Sequence, residues 1–361
     1  MANLRIKSVE TSIDRRPLTH PFVTAQHTVT EMLTVKVTVT LVNGQVGYGA
    51  ATANEVVTGD TLSSLRAVID EVLAPQLIGC DLHHWEATLA LIQRAIHGNT
   101  PAKAGVELAL WDLRAQRFGV PLAELLGGDG TQVVTDWTVS IAPLDEMAAR
   151  AREIVAAGFR AIKIKVGSPD IQVDIDRIKA VASAVPVGFA LRLDANQGWR
   201  VREAITCIRE IDALGYNIQF VEQPVLAADI DGLAAVTAAS PLPIMADEAV
   251  FTPEDAERLL QMRACDYLNI KLMKTGGLAN AERINALAEQ HGVACMIGCM
   301  IESRVSLSAA VAFAAAHRNV IFADLDAAFM ERNPERGGFD AQKDTLTVLS
   351  VPGLGFAEAT E

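Results

Sequence analysis

Six ionisable residues, Lys165, Asp194, Glu222, Asp247, Lys271 and Asp324, follow one another at intervals of 29, 28, 25, 24 and 53 residues, the last about twice the others. Each closes a short apolar run. Asp194 stands in Leu-Asp-Ala-Asn, Glu222 in Val-Glu-Gln-Pro and Asp247 in Ala-Asp-Glu. Three carboxylates without His or Cys suit a hard divalent cation, Mg²⁺ first and Mn²⁺ second. A single Asp could merely cap the helix that follows it; three at one interval are better read as a metal site. Lys165 and Lys271 would flank that cation. Carboxylate oxygens neutralised by a cation make the adjacent C–H more acidic, because charge developing on the enolate is stabilised where it forms. A free lysine titrates near 10.4, about three units too high for an efficient base, but the cation and the second ammonium of Lys163 disfavour its charged form. With one lysine on each face of a planar enolate, removal by one and delivery by the other inverts the carbon, so the expected chemistry is racemisation or epimerisation.

The elements that must hold these groups are legible in the apolar periodicity. Residues 33–41 alternate, Asn43-Gly44 supplies a hairpin turn and a second strand follows at 46–50. Helical patterns cover 61–77, 83–96 and 101–118, the last with Pro near its start and Gly119 after its end. Near Gly127-Gly128-Asp129-Gly130 the pattern changes to eight short apolar runs, at 137–141, 161–166, 190–194, 218–222, 244–247, 267–271, 294–298 and 320–324. Strand-helix units at this spacing predict a parallel (β/α)₈ TIM-type barrel, with a doubly wound sheet as the alternative. Residues 1–128 are then an α+β capping domain, 129–328 the barrel, and 329–361 return to the cap, the alternating stretch 345–349 pairing there. In Ile162-Lys163-Ile164-Lys165 the isoleucines must face the covering helices, which turns both lysines inward. Lys274, beyond Lys271, is expected on a loop.

Composition bounds the partners. The chain has 361 residues, half of them apolar, and a net charge of -13 that repels nucleic acid and anionic lipid. Neither an apolar leader nor a membrane span is apparent, so a cytoplasmic protein is expected. Five cysteines without CxxC spacing read as reduced core residues. A homo-oligomer is expected.

Lys163-Ile-Lys165, Asp194-Ala-Asn196, Glu222-Gln-Pro, Asp247-Glu248 and Lys271 together resemble the muconate lactonizing subgroup of the enolase superfamily over essentially the whole chain. The resemblance implies a modified barrel capped by an α+β domain, with Asp194, Glu222 and Asp247 as magnesium ligands and Lys165 and Lys271 as acid/base catalysts. Lys163, Asn196 and Glu248 would support them. Cys-Met-Ile-Glu302-Ser and Asp324-Leu-Asp326 resemble the dipeptide epimerases, in which paired aspartates hold the substrate's α-ammonium. A dipeptide zwitterion fits this polarity, its carboxylate on the metal and its ammonium on Asp324 and Asp326. Thr138, Gly298, Met300, Ile301, Thr24 and His27 are expected to join Lys163 along the substrate. N-succinylamino acid racemase with o-succinylbenzoate synthase, and muconate cycloisomerase, are the alternatives within the subgroup; their substrates lack an ammonium there. A sugar-acid lyase would need a late-strand His-Asp pair, and a non-catalytic barrel scaffold is the reading from another class.

Side-chain preference should lie in two lids, 21–30 and 50–60, with Thr24, Gln26, His27 and Glu55 as polar candidates. In the L-Ala-D/L-Glu epimerases of that family an arginine in the first lid is expected to grip the glutamate, and here His27 takes that place. With Ile297 and Ile301 expected to line an apolar wall, the substrate is read as L-Ala-L-Xaa, with Xaa neutral or hydrophobic.

Overall fold

The hairpin read from Asn43-Gly44 is the centre of the first sheet. In the computed structural model, which describes residues 3–24, 27–332 and 334–356, β2 (Thr28–Leu41) pairs antiparallel with both β1 (Ile6–Val23) and β3 (Val46–Thr52). Gly44 takes a φ of 90°, which the turn requires and a Cβ would resist. Strand β1 is longer than its sequence advertises because its first half packs one face on the helices while its register against β2 breaks between Pro17 and Phe22. That break carries the strand's end over the barrel.

Helices form where the apolar stripes lie, at Leu62–Leu77 in three contiguous stretches, Trp85–Arg94 and Thr100–Phe118. Thr61 caps the first by accepting from the Ser64 N–H, and Gly119 ends the last with a φ of 70°. The helix Thr100–Phe118 lies directly on β3 because three glycines permit it. A Cβ on Gly49 would stand 2.0 Å from the Gly105 carbonyl oxygen, and one on Gly47 2.3 Å from that of Ala109.

The eight runs become β5 (Trp137–Val139), β6 (Ala161–Lys165), β7 (Ala190–Asp194), β8 (Ile218–Glu222), β9 (Ile244–Ala246), β10 (Tyr267–Lys271), β11 (Ala294–Gly298) and β12 (Val320–Asp324), parallel and in that spatial order. The molecule is a modified (β/α)₈ barrel with an α+β cap. The modification is at the end: β12 is followed by a single 3₁₀ turn, Asp326–Phe329, rather than an eighth helix. No backbone ladder joins β12 to β5. The seam is bridged instead by Asp136 N–H to the Ala323 carbonyl (3.3 Å), Leu325 N–H to Thr135 Oγ1 (2.8 Å) and Thr138 N–H to Asp326 Oδ2 (2.9 Å). Inside, Phe220, Met245 and Met296 fill the floor with Tyr267 and Phe322 packed against them. Arg192 lies 4.8 Å over the Phe322 ring and holds Asp136 at 2.7 Å.

The tail departs from expectation. Strand β14 (Thr345–Val348) pairs not with the N-terminal sheet but with β13 (Phe339–Gln342) and with the short β4 (Gln132–Val134) at the junction. The tail touches the cap on both sides of it: before β13, Thr19 N–H donates to the Met330 carbonyl at 2.8 Å and Arg16 pairs with Glu331 at 3.2 Å, and beyond β14, Leu354 N–H donates to Asp112 Oδ1 at 2.7 Å and Gly353 bridges Pro121. No helix among the described residues is long and apolar enough to cross a membrane.

Because backbone rather than a movable side chain opposes a Cβ on Gly49, Gly49→Ala is expected to destabilise the cap by at least the ~1–3 kcal/mol of ordinary overpacking. Thermal unfolding would measure it; an unchanged melting temperature would refute the close approach as a constraint.

Candidate active site

Parallel register sets the site's level. Lys165 pairs with Asp194, and Asp194 with Glu222, across β6, β7 and β8; Lys271 pairs with Gly298, and Gly298 with Asp324, across β10, β11 and β12. The strand ends thus meet in one ring at the barrel mouth. Ile162 and Ile164 face the helices, which leaves Lys163 and Lys165 inside and almost wholly buried.

Asp194, Glu222 and Asp247 bring oxygens within 4.8 Å of one another, all from buried side chains. Lys165 Nζ lies 2.6 Å from Asp194 Oδ2, and Lys271 Nζ 2.7 Å from Asp247 Oδ2. Because β6 and β10 are four strands apart in the eight-stranded barrel, the two lysines reach the carboxylate cluster from opposite walls. Lys163 sits deeper, 2.7 Å from Asp324 Oδ2, 2.8 Å from Glu222 Oε2 and 2.9 Å from Asp194 Oδ2. Lys274 corrects the sequence reading: it is no loop residue but a fully buried ammonium in the short helix Leu272–Thr275, 2.5 Å from Asp247 Oδ1 and also bonded to the carbonyls of Asp247 and Asn269.

Charge bookkeeping explains the titration of these groups. Six buried carboxyls, Asp194, Glu222, Asp247, Glu248, Asp324 and Asp326, face four buried ammoniums, Lys163, Lys165, Lys271 and Lys274. Two negative charges are left over. Burial and then Asp194 push Glu222 up to about 8; burial and then Asp247 push Glu248 up to about 7; burial and then Asp324 push Asp326 up to about 6. For Asp194 and Asp247 burial is outweighed by the facing lysines, and both are held well below the usual carboxylate range. Burial is likewise outweighed at Lys163, by Asp194, Asp324 and Glu222, and at Lys271, chiefly by Asp247, so both ammoniums are strengthened.

The donor set fits a divalent cation on two grounds. It offers hard oxygens only, and it lacks the two positive charges that such an ion supplies. Glu222 Oε2 also has no aligned hydrogen bond, although the Lys163 ammonium is close, and Glu248 Oε2 has no partner.

The cleft above is walled by Phe22, Thr24, His27, Asn54, Val57, Thr138, Asn196, Cys299, Met300, Ile301, Asp324 and Asp326. Several sequence assignments change here. Ile297 faces the outer core rather than the cleft. Gly298 does not wall the cleft either: its missing side chain leaves room for Asn269 Oδ1 and Lys271 Cε, at 2.5 and 2.9 Å from where a Cβ would stand. In the second lid Glu55 is exposed, and Asn54 and Val57 take the wall. Gln26 lies outside the described residues. Cys299 is not a core residue but a cleft one, its Sγ donating to the Asp324 carbonyl at 3.3 Å.

Three further groups went unread. Asn269, two residues before Lys271 and so on the same face, donates to Glu222 Oε1 at 2.6 Å; period-two alternation could have found it. Gln223 accepts from the N–H groups of Asp247 and Ala249 and fixes that turn, with a φ of 34° that no spacing foretells. Phe22 places its ring 5.6 Å from Lys165 Nζ. Asn196 Nδ2 donates to Glu248 Oε1 at 3.1 Å, tying two strand ends together.

Comparison with known proteins agrees with this fold. Residues 6–127 match the mandelate racemase / muconate lactonizing enzyme N-terminal domain, and residues 146–359 the enolase C-terminal domain-like family. The chain is 46% identical to the L-Ala-D/L-Glu epimerase of Bacillus subtilis over 99% of this chain and 98% of that one. The substrate-liganded structure of that enzyme superposes with a TM-score of 0.96 over 97% of this chain and 98% of the other. A hydrophobic dipeptide epimerase of Enterococcus faecalis is 38% identical over 98% of this chain and 100% of its own length. Its structure with Mg and L-Leu-L-Tyr has a TM-score of 0.93, covering 97% of this chain and 99% of that one.

Since Glu222 holds its proton up to about 8, Mg²⁺ must displace that proton. Calorimetric titration is expected to show affinity falling roughly tenfold per pH unit below 8, with Asp247→Asn losing 100-fold or more. An affinity flat in pH, or unaffected by Asp247→Asn, would remove these groups from the ligand set.

Proposed function

The chain belongs to the mandelate racemase / muconate lactonizing enzyme family, and we propose that it is a Mg²⁺-dependent dipeptide epimerase acting on the α-carbon of the C-terminal residue. The observation that carries this is the placement of Lys165 and Lys271 on opposite sides of one carboxylate cluster, 2.6 and 2.7 Å from Asp194 and Asp247, with Asp324 and Asp326 across the same cleft. The relatives' names supply the substrate class, since both the B. subtilis and the E. faecalis enzymes are dipeptide epimerases.

Asp194, Glu222 and Asp247 would hold the ion. When bound it would draw electron density from the substrate carboxylate and so stabilise the enolate. Lys165 and Lys271 would stand on the two faces: one, able to lose its proton once an ion shares the carboxylate that otherwise holds it as an ammonium, would take the α-proton, and the other, as an ammonium, would deliver a proton to the opposite face. Lys163 stays protonated, ringed by carboxylates, and holds Asp194, Glu222 and Asp324 in place. Asp324 and Asp326 receive the dipeptide's ammonium, which would replace part of the positive charge that Asp326 otherwise answers with a proton. Asn196 and Glu248 brace the strand ends. Two carboxylates at the far side of the cleft, Asp324 and Asp326, speak against N-succinyl and muconate substrates, which bring no ammonium there.

For the C-terminal side chain, the cleft wall offers Phe22, Val57, Met300 and Ile301 and, among the described residues, no arginine. Burial, and then the neighbouring Lys165, keep the pKa of His27 below the usual histidine range, with Glu55 opposing. His27 is therefore neutral at pH 7 and supplies no charge to a glutamate. These features support L-Ala-L-Xaa with a neutral or hydrophobic Xaa, as for the E. faecalis relative rather than the B. subtilis one.

Incubation with Mg²⁺ and L,L-dipeptides in D₂O is expected to add one mass unit at the C-terminal α-carbon; exchange with an N-succinylamino acid but with no dipeptide would sink the assignment. Lys165→Ala and Lys271→Ala should each lose epimerisation by about 10²–10⁴-fold while retaining one-sided exchange, and full activity in either would refute two-base transfer. L-Ala-L-Leu should be turned over faster than L-Ala-L-Glu at pH 8, the ratio narrowing as the pH falls and His27 gains its proton; a preference for Glu at pH 8 would overturn the neutral-substrate reading.

A further inference from the structure

The largest opening beside the cleft is not in the barrel but over its seam. A groove of about 570 Å³ runs between the end of β1, the β5 strand with the loop after it, and the helix Leu144–Ala156. It shares two wall residues with the cleft, Phe22 and Thr138, so those two side chains are the partition between them. It lies where the barrel has no backbone ladder, and where Asp326 closes the seam by accepting the Thr138 N–H at 2.9 Å.

That position matters because of where a dipeptide's ammonium goes. The Cβ of the first residue is only two bonds from the ammonium nitrogen. An ammonium on Asp324 and Asp326 therefore brings the first side chain to the Thr138 side of the cleft, against the partition. Beyond it the groove is walled by Pro21, Trp137, Met147 and Met330. Its guanidinium is already engaged: Arg150 lies 4.7 Å over the Trp137 ring and pairs with Glu153 at 2.8 Å. The groove is mixed, with His20, Glu146 and Glu153 on its rim beside these apolar walls; with its arginine internally satisfied and two carboxylates present it favours an apolar occupant over an acidic one.

We propose that this groove is the subsite for the first side chain of the dipeptide, reached past Phe22, and that it admits a large apolar or aromatic residue there in place of alanine. The assignment rests on the dipeptide reading of the site and deepens it. Occupancy turns the Phe22 ring aside about its own side-chain bonds, which leaves the Phe22–Val29 backbone pairing in place.

The test compares kcat/KM of the Mg²⁺-loaded enzyme for L-Ala-L-Ala and L-Phe-L-Ala, with Ala142→Phe to fill the groove from its loop wall. The expected result is turnover of L-Phe-L-Ala within tenfold of L-Ala-L-Ala, and a loss of tenfold or more for L-Phe-L-Ala alone in Ala142→Phe. A natural preference against L-Phe-L-Ala exceeding tenfold, or an Ala142→Phe effect that is equal on both substrates or absent, would overturn the subsite. Ala149→Phe, which fills the groove from the helix side, serves if Ala142→Phe does not fold. Turnover of L-Ala-L-Ala separates the two failures: where it persists, only the subsite falls; where no dipeptide exchanges at all, the epimerase reading falls and takes the subsite with it.

Discussion

Everything at the barrel mouth follows from a charge imbalance in a place water does not reach. Four ammoniums and six carboxyls lie buried within and just behind one ring of strand ends. Each isolated ion there would cost several kcal/mol, so none is tolerable alone, and the arrangement is stable only because every ammonium touches a carboxylate. Burial, and then like-charged neighbours, hold Glu222, Glu248 and Asp326 above the usual carboxylate range, so that protons offset part of the excess charge in the metal-free protein. A dication answers the same deficit with one particle. The site is thus selective by arithmetic as well as by geometry.

The same imbalance orders the lysines by task. Lys163 and Lys274 are each held by three acceptors, and nothing a ligand does at the mouth needs to move them. Lys165 and Lys271 each lean on one oxygen of a carboxylate that an ion would share. The proposed acid/base pair is distinguished from the structural pair by how few contacts it would give up.

Legibility from sequence tracked the range of the interaction involved. The eight strands were readable because each is an apolar run between helical stretches. The inward lysines were readable because the alternation of Ile162 and Ile164 leaves no other register. Side chains acting across strands were partly readable: Asn269 shares a face with Lys271, but its partner Glu222 is 47 residues away. What the chain did not disclose depends on backbone direction rather than residue type. Nothing in Leu-Met-Lys signals that a single helical turn carries Lys274 back to Asp247 rather than out on a loop. Glu55 was chosen in the second lid for its charge, whereas the fold turns Asn54 and Val57 to the cleft. The tail strand was foreseen as alternating, but its partner β4 is three residues long and carries no periodic signal.

The seam between β12 and β5 has a thermodynamic meaning. Seven strand junctions are fastened by backbone ladders; this one is held by a single backbone bond, Asp136 N–H to the Ala323 carbonyl, and by side chains, of which Asp326 also faces the cleft. A ligand ammonium drawn to that carboxylate competes with, or reinforces, the bond that shuts the barrel. Occupancy and closure are therefore linked functions, each altering the other's equilibrium by the same factor, and the stiffness of the barrel becomes a property the substrate can set.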